Sequence, residues 1–133
     1  MKALPSNKLG WTGWIVLLLA VIEAGWLAFD GSRAFILGDY MTPASGEYAG
    51  QLGPWADLVS SIGIEPRSTL MKSIHIGLGL AWLFTCAAFA RRLPWAWRGM
   101  LICAIASLWY LTIGTLLSAI QIVLLLLPPL RKR

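Results

Sequence analysis

Apolar residues in this chain gather into three long runs, and the polar positions inside those runs recur at helical spacing. The first run, 11–29, has 19 residues, enough to cross a hydrocarbon core of ~30 Å as a helix. The second, 70–90, has 21. The third, 99–130, has 32 residues without a charge; as one straight helix it would reach ~48 Å, too far for a single crossing. "LTIGTLL", at 111–117, sets a glycine and two threonines near its centre and predicts a tight hairpin of two short helices. The pattern thus predicts an all-α, polytopic membrane domain over 1–133, with four transmembrane helices at about 11–30, 69–90, 97–112 and 115–130.

Between the first two helices, 31–68 forms an outer segment with signals of its own. "MTPASGEYAGQLGP" is rich in turn formers and predicts irregular chain. "GPWADLVSSIGIEP" predicts a short amphipathic helix, with Pro54 in its first turn, Gly63 at its end and Pro66 as a stop. Trp55, Leu58, Val59 and Ile62 share a face that suits either lipid headgroups or the bundle's own helices. Ser68 is placed to cap the second membrane helix.

Polar and small residues collect on one side of each helix. In the first they are Glu23, Trp26, Asp30 and Arg33; in the second, Lys72, His75, Gly79, Trp82 and Cys86. The third offers Gly99, Cys103, Ser107, Tyr110 and Gly114, and the fourth Thr115, Ser118 and Gln121. Helices that face each other through such side chains and turn Leu, Ile, Val and Phe to lipid show this arrangement. An acid near the bilayer centre costs ~3 kcal/mol, so Glu23 is expected to be neutral or paired, with Lys72 and His75 as its partners. Glu23, Lys72, His75, Tyr110 and Gln121 are therefore the candidate ligand or proton site, a buried polar cluster in the outer half of the bilayer. Asp30 and Arg33, one turn apart, are expected to form an interface pair.

Composition agrees with a membrane setting: 58% of the residues are hydrophobic and 13% charged, against ~25% charged in ordinary soluble domains. The net charge of +5 does not form the basic stripe of a nucleic-acid-binding surface. Lys2, Lys8, Arg91, Arg92, Arg98, Arg131, Lys132 and Arg133 flank the apolar runs, with no acid among them. The segment 30–69 holds Asp30, Asp39, Glu47, Asp57 and Glu65 against Arg33 and Arg67. That asymmetry predicts cytoplasmic termini, a cytoplasmic 91–96 loop and an outer 31–68 in a bacterial-type inner membrane. Lys2 and Lys8 also suit a signal peptide, but the long run, Glu23 and the lack of a small-x-small cleavage site predict a retained helix.

Most familiar chemistry finds no purchase. Cys86 and Cys103 lack metal-ligand or CxxC spacing and are expected as small packing residues. His75, the single histidine, cannot give bis-histidine haem ligation within one chain, and Met71 lies on the same helix one turn away. No Gly-rich phosphate loop and no H-E-x-x-H motif occurs. Helix count and one acid in the first helix are similar to small multidrug-resistance transporters, although the ~40 residues between helices one and two depart from that family's short connections. The layout of helix, outer amphipathic segment and three further helices resembles DoxX-type small membrane proteins. Neither resemblance carries a motif from which a residue's role transfers.

The expectation is a non-catalytic membrane component, either an accessory subunit or a small-ligand-binding protein, with no cofactor or metal. Its expected partners are the lipid bilayer and a membrane protein or a second copy, not nucleic acid. The alternative is proton-coupled transport of a small solute with Glu23 as the proton carrier.

Overall fold

A computed structural model describes residues 9–110 and 112–131. Regular structure among them is entirely helical: α1 Trp11–Leu37, α2 Pro54–Ser61, α3 Thr69–Ala90, α4 Ala96–Ala106, α5 Ile113–Leu126 and the single turn α6 Pro128–Arg131. Lys2, Lys8, Lys132 and Arg133, which carry part of the charge asymmetry, and Leu111 in the expected hairpin lie outside the described residues.

The helix α1 runs on well past the expected end near residue 30. No proline interrupts 11–37, and the chain leaves the helix at Gly38, whose φ of +97° is the left-handed conformation glycine adopts without a Cβ penalty. Gly31 looks like a break in sequence but serves a close approach. A Cβ there would lie 2.7 Å from His75 Cβ and 3.0 Å from the Ile76 backbone nitrogen. Deeper in the bundle, a Cβ on Gly79 would fall 2.6–2.9 Å from backbone atoms of Ala24 and Ala28. Rising residue numbers on one helix meet falling numbers on the other, so α1 and α3 are antiparallel. Ala20, Ala24, Leu27, Gly31 and Ala34 form the buried seam of α1, at alternating spacings of four and three.

Capping fixes the other elements where the sequence predicts. Ser68 accepts a hydrogen bond from Met71 N–H at 3.2 Å, and α3 occupies the expected 69–90. Pro54 opens α2, and Gly63 follows it with φ +91°. Trp55, Ala56 and Val59 are buried while Ile62 is 70% exposed, so α2 caps the bundle with the Trp55 side of its face. The hairpin is present but its arms are shorter than expected, ending at Ala106 and resuming at Ile113 in place of 97–112 and 115–130. The Leu127 backbone is extended, as a residue before proline prefers, and this ends α5. Pro129 has no N–H to offer the Leu125 carbonyl; the indole of Trp97 donates to it instead, at 2.8 Å.

Two cores result. The larger joins α1, α3, α4 and α5 around Leu27, Trp82, Met100 and Leu125; the smaller lies under α2, around Tyr40, Trp55, Val59 and Met71. Several polar side chains join these cores while many aliphatic ones stay outside. Glu23, Asp30, His75, Ser118 and Gln121 are buried, whereas Leu18, Ile22, Phe84, Ile102 and Val123 are each more than half exposed. Helices α1 and α3 are long and apolar enough to cross a membrane. With 11 and 14 residues, α4 and α5 reach only ~17 and ~21 Å, each short of a full crossing alone.

The α1–α3 seam yields a stability prediction. Gly79→Ala should cost ~1–3 kcal/mol, because backbone rather than a flexible side chain stands in the way. Gly77→Ala, with nothing within 4 Å of the added carbon, should be neutral or slightly stabilising. Unfolding of both variants in one detergent measures the difference; equal effects would contradict the packing described.

Candidate functional site

Glu23 sits near the middle of α1, on the side facing α5, and is 3% exposed. Its carboxyl meets α5 rather than α3. Ser118 Oγ lies 3.0 Å from each carboxyl oxygen, and Gln121 Nε2 donates to Oε1 at 3.2 Å. Gly114, one turn before Ser118, makes the approach possible: a Cβ there would lie 3.1 Å from Glu23 Oε2 and nearer still to the Tyr110 ring. Gly114, Ser118, Gln121 and Leu125 form one buried stripe on α5, so the acid is held by a helix face built for it.

Lys72 and His75 are not its partners. Gly31 of α1 packs on His75, and eight residues of helix put Glu23 ~12 Å farther along. Lys72 Nζ instead donates to the Gly38 carbonyl at 3.3 Å, supporting the C-terminus of α1. His75 is fully buried, with Nδ1 2.9 Å from the Met71 carbonyl. A carbonyl only accepts, so Nδ1 carries a proton, and Nε2 has no hydrogen-bond partner among the described residues. The rings of Tyr40, Trp55, Trp109 and Tyr110 surround the imidazole, with centroids 4.7–5.6 Å away. Of the five expected site residues, Glu23 and Gln121 touch, Tyr110 lies between Glu23 and the His75 ring, and Lys72 stands apart at the end of α1.

The expected Asp30–Arg33 pair is also replaced. Asp30 Oδ1 accepts from Met41 N–H at 2.7 Å, and Arg33 donates to the Asp39 carbonyl at 2.7 Å. Both side chains fasten the segment that follows α1, and among the described residues no hydrogen bond joins them, so the pair is at most a charge attraction one turn apart. Arg67 completes the fastening, donating from Nε to Asp39 at 2.9 Å and from Nη2 to the Gly50 carbonyl at 3.0 Å. Slight burial raises the Asp39 carboxyl, but the Arg67 hydrogen bond and the Tyr40 N–H outweigh it and hold the group below its ordinary range. The Tyr40 hydroxyl donates to the Pro66 carbonyl at 2.9 Å, and burial raises its phenol. The 38–53 segment is thus pinned over the end of the bundle.

Beneath that segment, between α1 and the start of α5, lies a cavity of about 730 Å³. Glu23 and Asp30 both line it, seven residues apart on one stripe of α1, or ~10 Å along the helix. Trp26, Phe29, Trp55 and Tyr110 form much of the wall, and Trp26 Nε1 donates to the Tyr110 hydroxyl at 2.9 Å. Among the described residues the lining contains no lysine, arginine, histidine or cysteine. No three His, Cys, Asp or Glu side chains come together as a metal site among the described residues. No protein-family model, curated protein or solved structure matches this chain.

Proposed function

We propose that this chain is a small integral membrane protein that binds a hydrophobic small molecule in the cavity between α1 and α5. The observation that carries the reading is the cavity itself. Its volume of about 730 Å³ lies within the ~300–1,000 Å³ of small-molecule sites, and its lining combines aromatic walls with a few polar groups. Ile22, Phe29 and Ile113 at its rim are more than half exposed, so a ligand can enter from the surrounding apolar phase.

Four crossings with both ends cytoplasmic form part of the proposal. The burial of Glu23, Asp30, His75 and Gln121, beside the many exposed aliphatic side chains, supports a lipid surround. The turns 107–110 extend α4, and α6 extends α5 to a total of 19 residues, or ~28 Å, so each arm of the hairpin approaches a crossing length. Basic residues at the 91–98 turn and the C-terminal end, against five acids in 30–69, support the orientation. In a chain with Cys86 and Cys103 replaced by alanine, an impermeant maleimide applied to intact cells should label Glu47→Cys and spare Arg91→Cys. Labelling of both would overturn the orientation.

Ligand binding is tested with the neutral probe N-phenyl-1-naphthylamine. Native mass spectrometry of the purified protein should find one probe molecule retained per chain. Gly25→Trp should abolish retention, because Gly25 lines the cavity and a side chain there meets nothing within 4 Å at its first carbon. Equal retention by both proteins, or none by either, would contradict the reading.

A further inference from the structure

We infer that the turn joining α3 to α4 binds an anionic phospholipid, its headgroup held by Arg91, Arg92 and Arg98; the inference rests on the membrane-spanning reading above. On α3, Leu80, Phe84, Ala87 and Arg91 are exposed at helical spacing, so one outward stripe of that helix ends in a basic residue. Trp95, Arg98, Ile102 and Ile105 form the matching stripe along α4. The two stripes meet where Phe84 stacks on Trp95, with ring centroids 5.9 Å apart and planes 18° apart. Gly99 leaves room for that indole, since a Cβ there would come 3.3 Å from Trp95 Cζ3. Arginines thus adjoin an aromatic and aliphatic surface, which matches the charged head and apolar chains of an anionic lipid.

Backbone geometry at the turn points the same way. Arg92 has φ +60°, and it is the one residue other than glycine with positive φ among the described residues. Its N–H donates to the Phe89 carbonyl and the Leu93 N–H to the Ala88 carbonyl, each at 3.0 Å. A glycine commonly closes a helix with this pair of bonds, and Gly38 takes the same left-handed conformation after α1. A side chain held there costs stability, so the chain forgoes the favourable residue and keeps a third positive charge at the turn. Attraction to the C-terminal end of α3 does not require it, because Arg91 already stands at that cap. Arg98 lies a turn inside α4 on the side facing the apolar phase, where a bare charge is costly. None of the six acidic side chains, all within 23–65, lies on α3, α4 or the turn between them, and an anionic headgroup supplies the countercharge. A zwitterionic lipid brings its own cation beside the phosphate and gains less. A free phosphate would leave the Phe84–Trp95 surface unused.

Native mass spectrometry tests the site on purified protein mixed, in neutral detergent, with equal amounts of dioleoylphosphatidylglycerol and dioleoylphosphatidylcholine. These lipids share their chains and differ in headgroup charge. The glycerol lipid should be retained at least about fivefold more than the choline lipid. Arg98→Gln and Arg92→Gly should each lower that preference at least about twofold, and glycine suits the Arg92 backbone, so the second variant keeps the turn. Lys72→Gln removes one charge near the opposite end of α3 and should leave the preference unchanged. Equal retention of the two lipids by the native chain would overturn the inference, as would equal effects of Arg98→Gln and Lys72→Gln. Displacement of the glycerol lipid by an equimolar amount of glycerol phosphate would overturn it too, because charge alone would then suffice. If the lipid inference alone is wrong, the two lipids are retained alike while Glu47→Cys is still labelled and Arg91→Cys spared. If the topology is wrong, that labelling pattern fails by itself.

Discussion

An acid in the middle of a long apolar helix constrains everything packed around it. Glu23 cannot be left facing hydrocarbon without cost, and its neighbours on α1 carry no charge to pair with it. The fold answers by bringing α5 to it. Ser118 and Gln121 supply the hydrogen bonds, and Gly114 leaves room for the carboxyl beside the helix. That contact fixes how α5 leans on α1. Around the start of α5, aromatic side chains from α1, α2 and the α4–α5 turn enclose the cavity instead of filling it. The site is therefore a consequence of how one carboxyl is accommodated.

A second constraint sets the outer limit of that space. The α1–α3 seam admits no Cβ at Gly79 and little at Gly31, so these two helices form a close pair whose register is fixed. On this pair His75 rises between Tyr40, Trp55, Trp109 and Tyr110, making a packed aromatic layer beside the cavity. The 38–53 segment is tied down at Asp30, Arg33 and Arg67, and Tyr40 anchors it to the turn before α3. Together they give the cavity one firm end. The side between Ile22, Phe29 and Ile113 stays open.

Local signals are legible in the sequence, and long-range register is not. The bounds of α3, the Ser68 cap, and the Pro54 and Gly63 limits of α2 follow from nearest-neighbour chemistry that acts within a turn. Burial of Glu23 and its contact with Gln121 follow from the stripes on α1 and α5. Ser118, on the same stripe as Gln121, carried that signal too but was outweighed by the ionisable groups. Pairing Glu23 with Lys72 or His75 failed because opposite charge says nothing of axial register. Only the glycine contacts at Gly31 and Gly79 set which turn of α3 meets which turn of α1. Asp30–Gly31 read as a helix end for a related reason: a glycine needed for close packing and one needed for a turn are identical in sequence. Tyr40 and Met41, which help to complete the cavity, come from a segment whose fold depends on tertiary hydrogen bonds and leaves no periodic trace.

The central claim is that a carboxyl sealed from water inside the helices opens onto a space reachable from an apolar phase. Dicyclohexylcarbodiimide, a hydrophobic reagent that forms stable acylureas with shielded carboxyl groups, tests this directly through peptide mapping of the treated protein. The account predicts an adduct at Glu23, diminished when N-phenyl-1-naphthylamine is added first. Modification of the exposed Glu47 and Glu65 with none at Glu23 would contradict it.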